Sequence, residues 1–296
     1  MVPGRVRTPH DSESRRAGPV WHHRGMPLPE TLLIIVGDEL LGGFTTDVNG
    51  ALAARRLFEA GYPVRRIEMV GDSVDDIATT VRRAVEDPSA ARVIVSGGIG
   101  PTPDDRTHAA VAKALGRELV EDPAALRHIE AMVARMYAAG WVASPVPTAA
   151  NRRMARMAAG GRILDNRRGM APPLVIELEA PRGRWLFVLP GVPREFQAVL
   201  EEVLIPGFFS GSRALTVVES RYPSAIEADF AEPMRRLEME FPDVAVGSYP
   251  PQQGRDLVIR LRGEDPERVR AAEQRLGEMR SGPDRPASPG AVQRPR

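Results

Sequence analysis

Apolar positions along the chain follow two periods. Leu32-Leu33-Ile34-Ile35-Val36 and Val93-Ile94-Val95-Ser96 are short continuous runs rich in branched residues, the pattern of strands buried on both faces. Residues 64–70 alternate partly with polar side chains, as a strand with one wet side does. Between these runs, 48–60 and 73–86 carry apolar residues at helical spacing, the second on Val74, Ile77, Val81 and Val85. Gly61 stands where a helix C-terminal cap belongs, and a further helical pattern covers 109–115. The β-α-β-α-β-α rhythm, with short glycine-containing connections, predicts a parallel sheet with helices on both faces.

The rhythm then loosens. A helix is expected over 124–139, a proline-broken segment over 141–148 and a short helix over 151–159. Residues 162–165, 174–179 and 184–189 read as strands, the last two around Pro181-Arg182-Gly183. Pro193 suits the first turn of a helix over 194–204. A second pattern follows: strand 214–219, helix 224–240, strands 244–249 and 256–262 paired as a hairpin, and helix 266–279. The expected organisation is a disordered tail over 1–29, a three-layer α/β domain over 30–209, a small α+β subdomain over 210–280 and a disordered tail over 281–296.

Composition narrows the function classes. Net charge is +1 and only 5% of residues are aromatic, so neither a basic field nor stacking platforms mark a nucleic-acid binder. No apolar run reaches the roughly 20 residues of a bilayer span, and no signal-peptide pattern opens the chain, so the cytoplasm is the expected compartment. Cysteine is absent, which excludes thiolate catalysis, cysteine zinc sites and disulfides. The five histidines, His10, His22, His23, His108 and His128, lack metal-ligand spacing. Lys113 is the only lysine, arginine supplying the other basic residues.

Candidate chemistry gathers behind two strands. After Ser96 come Gly97-Gly98-Ile99-Gly100-Pro101-Thr102, then Asp104, Asp105 and Thr107 at the start of a helix. After Val36 come Gly37-Asp38-Glu39-Leu40-Leu41-Gly42-Gly43. Ligands of such sheets bind beyond the carboxyl ends of the strands, where both loops lie. Glycine amides there can hold phosphate oxygens, and a divalent cation can bridge phosphate to Asp104 or Asp105. The alternative is that one of these aspartates caps the helix and the glycines make an ordinary turn. Glu39 is a candidate base or cation ligand, or else a solvated first-turn residue. Asp72 reads as the cap of the helix beginning at Ser73 and stays outside the site. Glu195, at a helix start near Pro190-Gly191, is a third carboxylate or only a helix-dipole partner.

These motifs resemble a known family. Gly37-Asp38-Glu39-Leu40-Leu41-x-Gly43, Asp47-x-Asn49, Val70-Gly71-Asp72, Gly97-Gly98-x-Gly100-Pro101-Thr102-x-Asp104-Asp105-x-Thr107 and Leu189-Pro190-Gly191-Val192-Pro193-x-Glu195 stand in the order and spacing of the MoaB/Mog-type molybdopterin-binding-like domain of competence/damage-inducible (CinA-like) proteins. The same domain is fused to FAD synthase in eukaryotes. The resemblance implies a three-layer α/β/α sheet with a small C-terminal subdomain, commonly as a homo-oligomer. It implies a metal-dependent pyrophosphatase acting on a dinucleotide such as ADP-ribose or FAD, with Mg, Mn or Co as the divalent metal and potassium as a further candidate cofactor. Asp104 and Asp105 would hold the metal, with Asp104, Asp105 and Glu39 catalytic. Gly37, Asp38, Gly42, Asp47, Asn49, Gly97, Gly98, Gly100, Pro101, Thr102, Thr107, Gly169, Pro190, Gly191 and Glu195 would contact substrate. The alternative is a molybdopterin-binding protein of molybdenum cofactor metabolism, or a carrier without chemistry. Either ligand is a small phosphate ester with a flat ring.

The chain departs from the family at Val36, Val48, Met170 and Pro173, where hydroxyls or a glycine are usual. Arg167 and Arg168 add charge that either grips phosphate or is solvated. Many relatives carry a further domain that deamidates nicotinamide mononucleotide. The chain ends before such a domain, so that activity is expected to be absent.

Overall fold

The computed structural model describes residues 30–179, 183–209, 215–249 and 256–281. The tail expected over 1–29 and all but Ser281 of the tail expected over 281–296 lie outside the described residues, as do most of the turn at Pro181 and the turn of the C-terminal hairpin. The chain divides into two compact units, Met1–Ser212 and Arg213–Arg296.

The first unit begins β1 (Glu30–Val36), α1 (Asp38–Leu41), α2 (Asn49–Glu59), β2 (Val64–Val70), α3 (Val74–Glu86), β3 (Ala90–Ser96) and α4 (Thr107–Ala114). It continues β4 (Leu119–Glu121), α5 (Pro123–Ala138), α6 (Ala149–Arg153), β5 (Arg156–Ala158), β6 (Arg162–Ile163), β7 (Leu174–Glu177), β8 (Trp185–Leu189), α7 (Pro193–Val199) and α8 (Ile205–Phe208). Six strands form one sheet in the order β2-β1-β3-β8-β7-β6.

Both faces of this sheet are covered, and the sequence shows why. Along β1, Leu32, Ile34 and Val36 join a core that includes Ile77, Val81, Val95 and Ile129. Leu33 and Ile35, pointing the other way, join Leu57, Tyr62, Phe187 and Phe196. An apolar residue at every position is what a strand between two helical layers requires.

The sheet is mixed rather than wholly parallel. β2, β1, β3 and β8 are parallel, but β7 runs antiparallel to β8 and β6 antiparallel to β7. Only seven residues separate β7 from β8, too few for the crossover that parallel neighbours need. The expected helix over 151–159 is also corrected. α6 ends at Arg153 after a capping box between Thr148 and Asn151. Arg156–Ala158 then extends as β5 against β4, burying Met157 and Ala158. The β4 partner, which periodicity did not reveal, overrides the local pattern. The helix expected over 194–204 changes pitch, passing from α7 through a wide π turn at Leu200–Leu204 into α8.

The second unit comprises β9 (Thr216–Tyr222), a 3₁₀ turn at Glu227–Phe230, α9 (Ala231–Glu240), β10 (Ala245–Tyr249), β11 (Leu257–Gly263) and α10 (Pro266–Ser281). Its antiparallel sheet runs β10-β11-β9 over its own core of Phe230, Leu237, Leu257, Ile259, Leu261, Val269 and Leu276. The expected β10–β11 pairing is present. The helix expected from 224 starts seven residues later, because Pro233 lacks an amide and clashes anywhere past a first turn. The last helix continues to Ser281, two residues beyond expectation.

Candidate functional site

At the carboxyl end of the first unit's sheet lies a cleft of about 620 Å³, within the range of small-molecule sites. Its walls are the two loops that follow β1 and β3, the turn after β8 and the segment around Met170. The close approach of these loops depends on glycine. Gly97 has φ 107°, and a Cβ there would lie 2.3 Å from the Val36 carbonyl. Gly98 has φ 67°, and its Cβ would meet the Thr107 hydroxyl at 2.4 Å. That hydroxyl is fully buried and donates to the Gly97 carbonyl at 2.7 Å, tying the start of α4 to the strand exit.

The charged lining is of one sign. Glu39, Asp47, Asp72, Asp104, Asp105 and Glu195 face the cleft, and among the described residues no arginine, lysine or histidine lines it. The nearby Arg106 and Arg153 donate instead to the carbonyls of Pro103 and Pro101.

Several of these carboxylates have structural duties as well. Asp47 accepts the amides of Asn49 and Gly50, capping α2 from just outside it. Asp105 accepts the Thr102 amide at 2.8 Å and the Thr102 hydroxyl at 2.5 Å, closing the loop on itself. Neither aspartate caps α4, whose N-terminal flanking residue is Arg106 with no side-chain cap. Glu195 accepts from Asn166 Nδ2 at 2.8 Å.

Asp72 belongs to the cleft, contrary to its reading as a cap. The cap of α3 is Ser73, which accepts the Asp76 amide. Asp72 accepts the Asp38 amide at 3.0 Å while its own amide donates to Asp38 at 3.2 Å. Burial first, then the negative charges of Asp38, Glu39 and Asp104, raise the Asp72 carboxyl above its ordinary value. Asp72 therefore feels three neighbouring carboxylates at one end of the cleft.

The structure also redistributes the expected binding residues. Gly37, Asp47, Asn49, Gly97, Gly98, Gly100, Pro101, Thr102, Pro190, Gly191 and Glu195 line the cleft, while Asp38, Gly42, Thr107 and Gly169 do not. Asp38 turns to Asp72, and Gly71 is needed there because a Cβ would lie 2.2 Å from Asp38 Oδ1. Gly169 instead makes room for Glu195, whose Oε2 would be 1.7 Å from an added Cβ. Arg167 and Arg168 lie outside the lining and pair with Asp165 and Glu202.

Of four amides expected to hold phosphate, three already have acceptors. Those of Gly37, Asp38 and Gly97 donate to Val70, Asp72 and Leu189. The Gly98 amide has no acceptor among the described residues. Missed altogether were Ser96, Ile99 and Met154, which form part of the floor and an apolar wall that Met170 extends. The strand pattern hid Ser96, and Met154 sits in the segment read as helix.

One feature points to a ligand. Asn49 donates to Ser96 Oγ at 3.2 Å and to the Gly191 carbonyl at 2.8 Å, but its buried Oδ1 has no donor. Orphaned buried acceptors are uncommon and call for a partner. Among the described residues no group of three or more His, Asp or Glu side chains is placed to hold a metal ion. A cation that takes one or two carboxylates and completes its shell with ligand phosphates fits this donor set.

A covered α/β sheet that opens at its strand ends on such a cleft defines a small-ligand-binding domain. Residues 32–209 match the sequence model described as "Probable molybdopterin binding domain", and the chain belongs to that family, with its three-layer MoaB/Mog-type α/β fold. Residues 217–282 match the middle domain of FAD synthase. A protein of Pyrococcus furiosus is 38% identical over 242 residues, covering 81% of this chain and 92% of that protein. A CinA-like protein of Gemmatimonas aurantiaca is 40% identical over 59% of this chain, a segment that makes up only 38% of that protein. The crystal structure of a CinA protein of unknown function from Thermoplasma acidophilum superposes with a TM-score of 0.50 at 34% identity, over 59% of this chain and 95% of that one. No described helix is long and apolar enough to cross a membrane.

Proposed function

We propose that the cleft binds a phosphate ester of a flat heterocycle together with divalent cations, and hydrolyses the diphosphate of a dinucleotide such as ADP-ribose or FAD. The observation that carries this reading is the lining itself, six carboxylates with no basic side chain among the described residues. A diphosphate entering alone would meet like charge at close range. With Asp104 and either Asp105 or Asp72 offering oxygen ligands, a divalent cation would neutralise the diphosphate and acidify a water molecule.

The remaining roles fall to the chain's own groups. The Gly98 amide donates to a phosphate oxygen, and Asn49 Oδ1 accepts from a ring amino group or a ribose hydroxyl. Met154, Met170 and Ile99 supply the apolar wall for the ring. Glu39 takes a proton from the attacking water. Hydrolysis adds one water across the bridging P–O bond and releases two phosphomonoesters.

The family description favours a second reading, in which the same cleft holds molybdopterin, either in molybdenum cofactor metabolism or as a carrier without chemistry. One experiment separates them. The purified protein is incubated with ADP-ribose or FAD and Mg, Mn or Co, and products are resolved by chromatography. Metal-dependent release of mononucleotides supports hydrolysis. No turnover with any pair, alongside saturable pterin-phosphate binding, rejects it in favour of the carrier.

A further inference from the structure

The strand order of the large sheet sets the order of side chains along the cleft. Asp72 follows β2, Glu39 follows β1, Asp104 follows β3 and Glu195 follows β8, and those strands lie side by side in that sequence. Met170 and Ala171 precede β7, which runs antiparallel to β8 and so begins at the same rim. Three strand spacings, roughly 14 Å, separate the exits of β2 and β8. The negative charges that act on Asp72 are those of Asp38, Glu39 and Asp104. In strand order Glu195 comes between that acidic end and the apolar wall of Met170 and Ala171.

A residue outside the lining holds Glu195 in place. Asn166 is 1% exposed, and all four hydrogen-bonding positions of its amide are used. Its Oδ1 accepts the backbone amides of Arg168 at 3.2 Å and Gly169 at 3.1 Å. Backbone N–H groups can only donate, so the amide cannot be turned over and Nδ2 is fixed as the donor. Nδ2 donates to the Ala171 carbonyl at 2.9 Å and to Glu195 Oε2 at 2.8 Å. Glu195 is thereby kept as an acceptor, and its Oε1 has no hydrogen-bond partner among the described residues. Nor does the carboxylate serve its own helix, because α7 has no side-chain cap.

On the reading that the cleft takes a nucleotide, we propose that Asn166 is a positioning residue that presents Glu195 to the ribose, whose 2′- and 3′-hydroxyls donate to the carboxylate. Facing phosphate, a carboxylate without a cation would repel it. Facing the sugar that joins diphosphate to ring, it meets two neighbouring hydroxyl donors. Acidic side chains read the ribose 2′-hydroxyl in this way in dinucleotide-binding folds. The ligand then runs along the rim, with diphosphate and cation at the exits of β2, β1 and β3. Its ribose lies at β8 and its ring against Met170. The cleft selects a ribonucleotide over the 2′-deoxy form and rejects a 2′-phosphate.

Titration calorimetry on the full chain, with Mg, Mn or Co, compares 2′-deoxy-ADP with ADP, the half that ADP-ribose and FAD share. Wild type should bind ADP at least about tenfold more tightly, because the analogue loses a hydrogen bond to a charged group. Glu195→Ala should bring the two affinities within about threefold of each other. Asn166→Asp still accepts both backbone amides but turns an oxygen toward Glu195, and it should erase the preference while leaving Glu195 intact. A merely structural Asn166 would weaken both nucleotides together and leave their ratio unchanged. Thermal unfolding shows whether the variants fold, and Asn166→Ser, which also lacks the donor, replaces Asn166→Asp if that one does not. Equal wild-type affinities, or a preference that survives either substitution, would overturn the ribose contact while leaving the nucleotide reading standing. A wild type that binds no ADP with any of the three metals would overturn that reading, and the ribose contact with it.

Discussion

The closeness of the two strand exits rests on single atoms. Gly97 carries a positive φ, and its missing Cβ leaves room for the Val36 carbonyl, a backbone group that cannot step aside. Gly97→Ala should therefore cost about 3 kcal/mol or more, from backbone strain and collision together. Chemical denaturation measures it, and a loss below about 1 kcal/mol would mean that the loops relax freely. Asp104 is a different case, since its carboxylate holds no helix. Asp104→Asn should leave the unfolding midpoint unchanged within error while reducing metal-dependent ligand binding at least about tenfold. A fall in stability without a fall in binding would assign it to the scaffold. The strand-exit motifs made most of these residues legible in the sequence. The side-chain directions were not legible. Asp38 and Asp72 lie in equivalent-looking Gly-Asp pairs, and only the three-dimensional exchange of amides decides that Asp72 faces the cleft.

At the scale of elements, α4 contains a buried histidine behind the site. His108 is 7% exposed, and neither ring nitrogen has a hydrogen-bond partner. Burial lowers its pKa to about 4, the Asp105 charge opposing that only in part. The unfolded chain, with an ordinary value near 6.5, binds a proton more readily than the folded one between those limits. Stability from this residue is thus complete above about pH 6.5 and is lost as pH falls, reaching a deficit of about 3 kcal/mol near pH 4. His108→Leu should flatten that slope in urea unfolding measured between pH 7 and pH 4.5. An unchanged slope would show that other groups govern acid sensitivity.

Elements differed in how plainly the sequence announced them. β1 and β3 are written as continuous branched apolar runs and α2 and α3 as helical periodicities, and all four stand close to where those patterns put them. β4 and β5 span three residues each, too few for a period to register, and each is extended because the other is beside it. The start of α9 could have been read from Pro233. The π turn at Leu200–Leu204 carries no breaker residue, and nothing local distinguishes it from the helix before it.

For the whole molecule, the division of labour is marked by where the cleft's residues come from. All fall between Ile35 and Glu195, inside the first unit. A protein ending at Ser212 should therefore retain ligand affinity within about threefold, provided that thermal unfolding shows a cooperative transition. Loss of binding in that folded fragment would require a contribution from the second unit.

The central claim is that an anionic ligand enters this acidic cleft only in company with a divalent cation. Titration calorimetry with ADP-ribose tests it most directly, first in Mg or Mn and then in excess EDTA, with Asp104→Asn alongside. Saturable binding is expected with metal, no measurable heat of binding with chelator, and weakened metal-dependent binding in the variant. Equal affinity with and without the cation would contradict it.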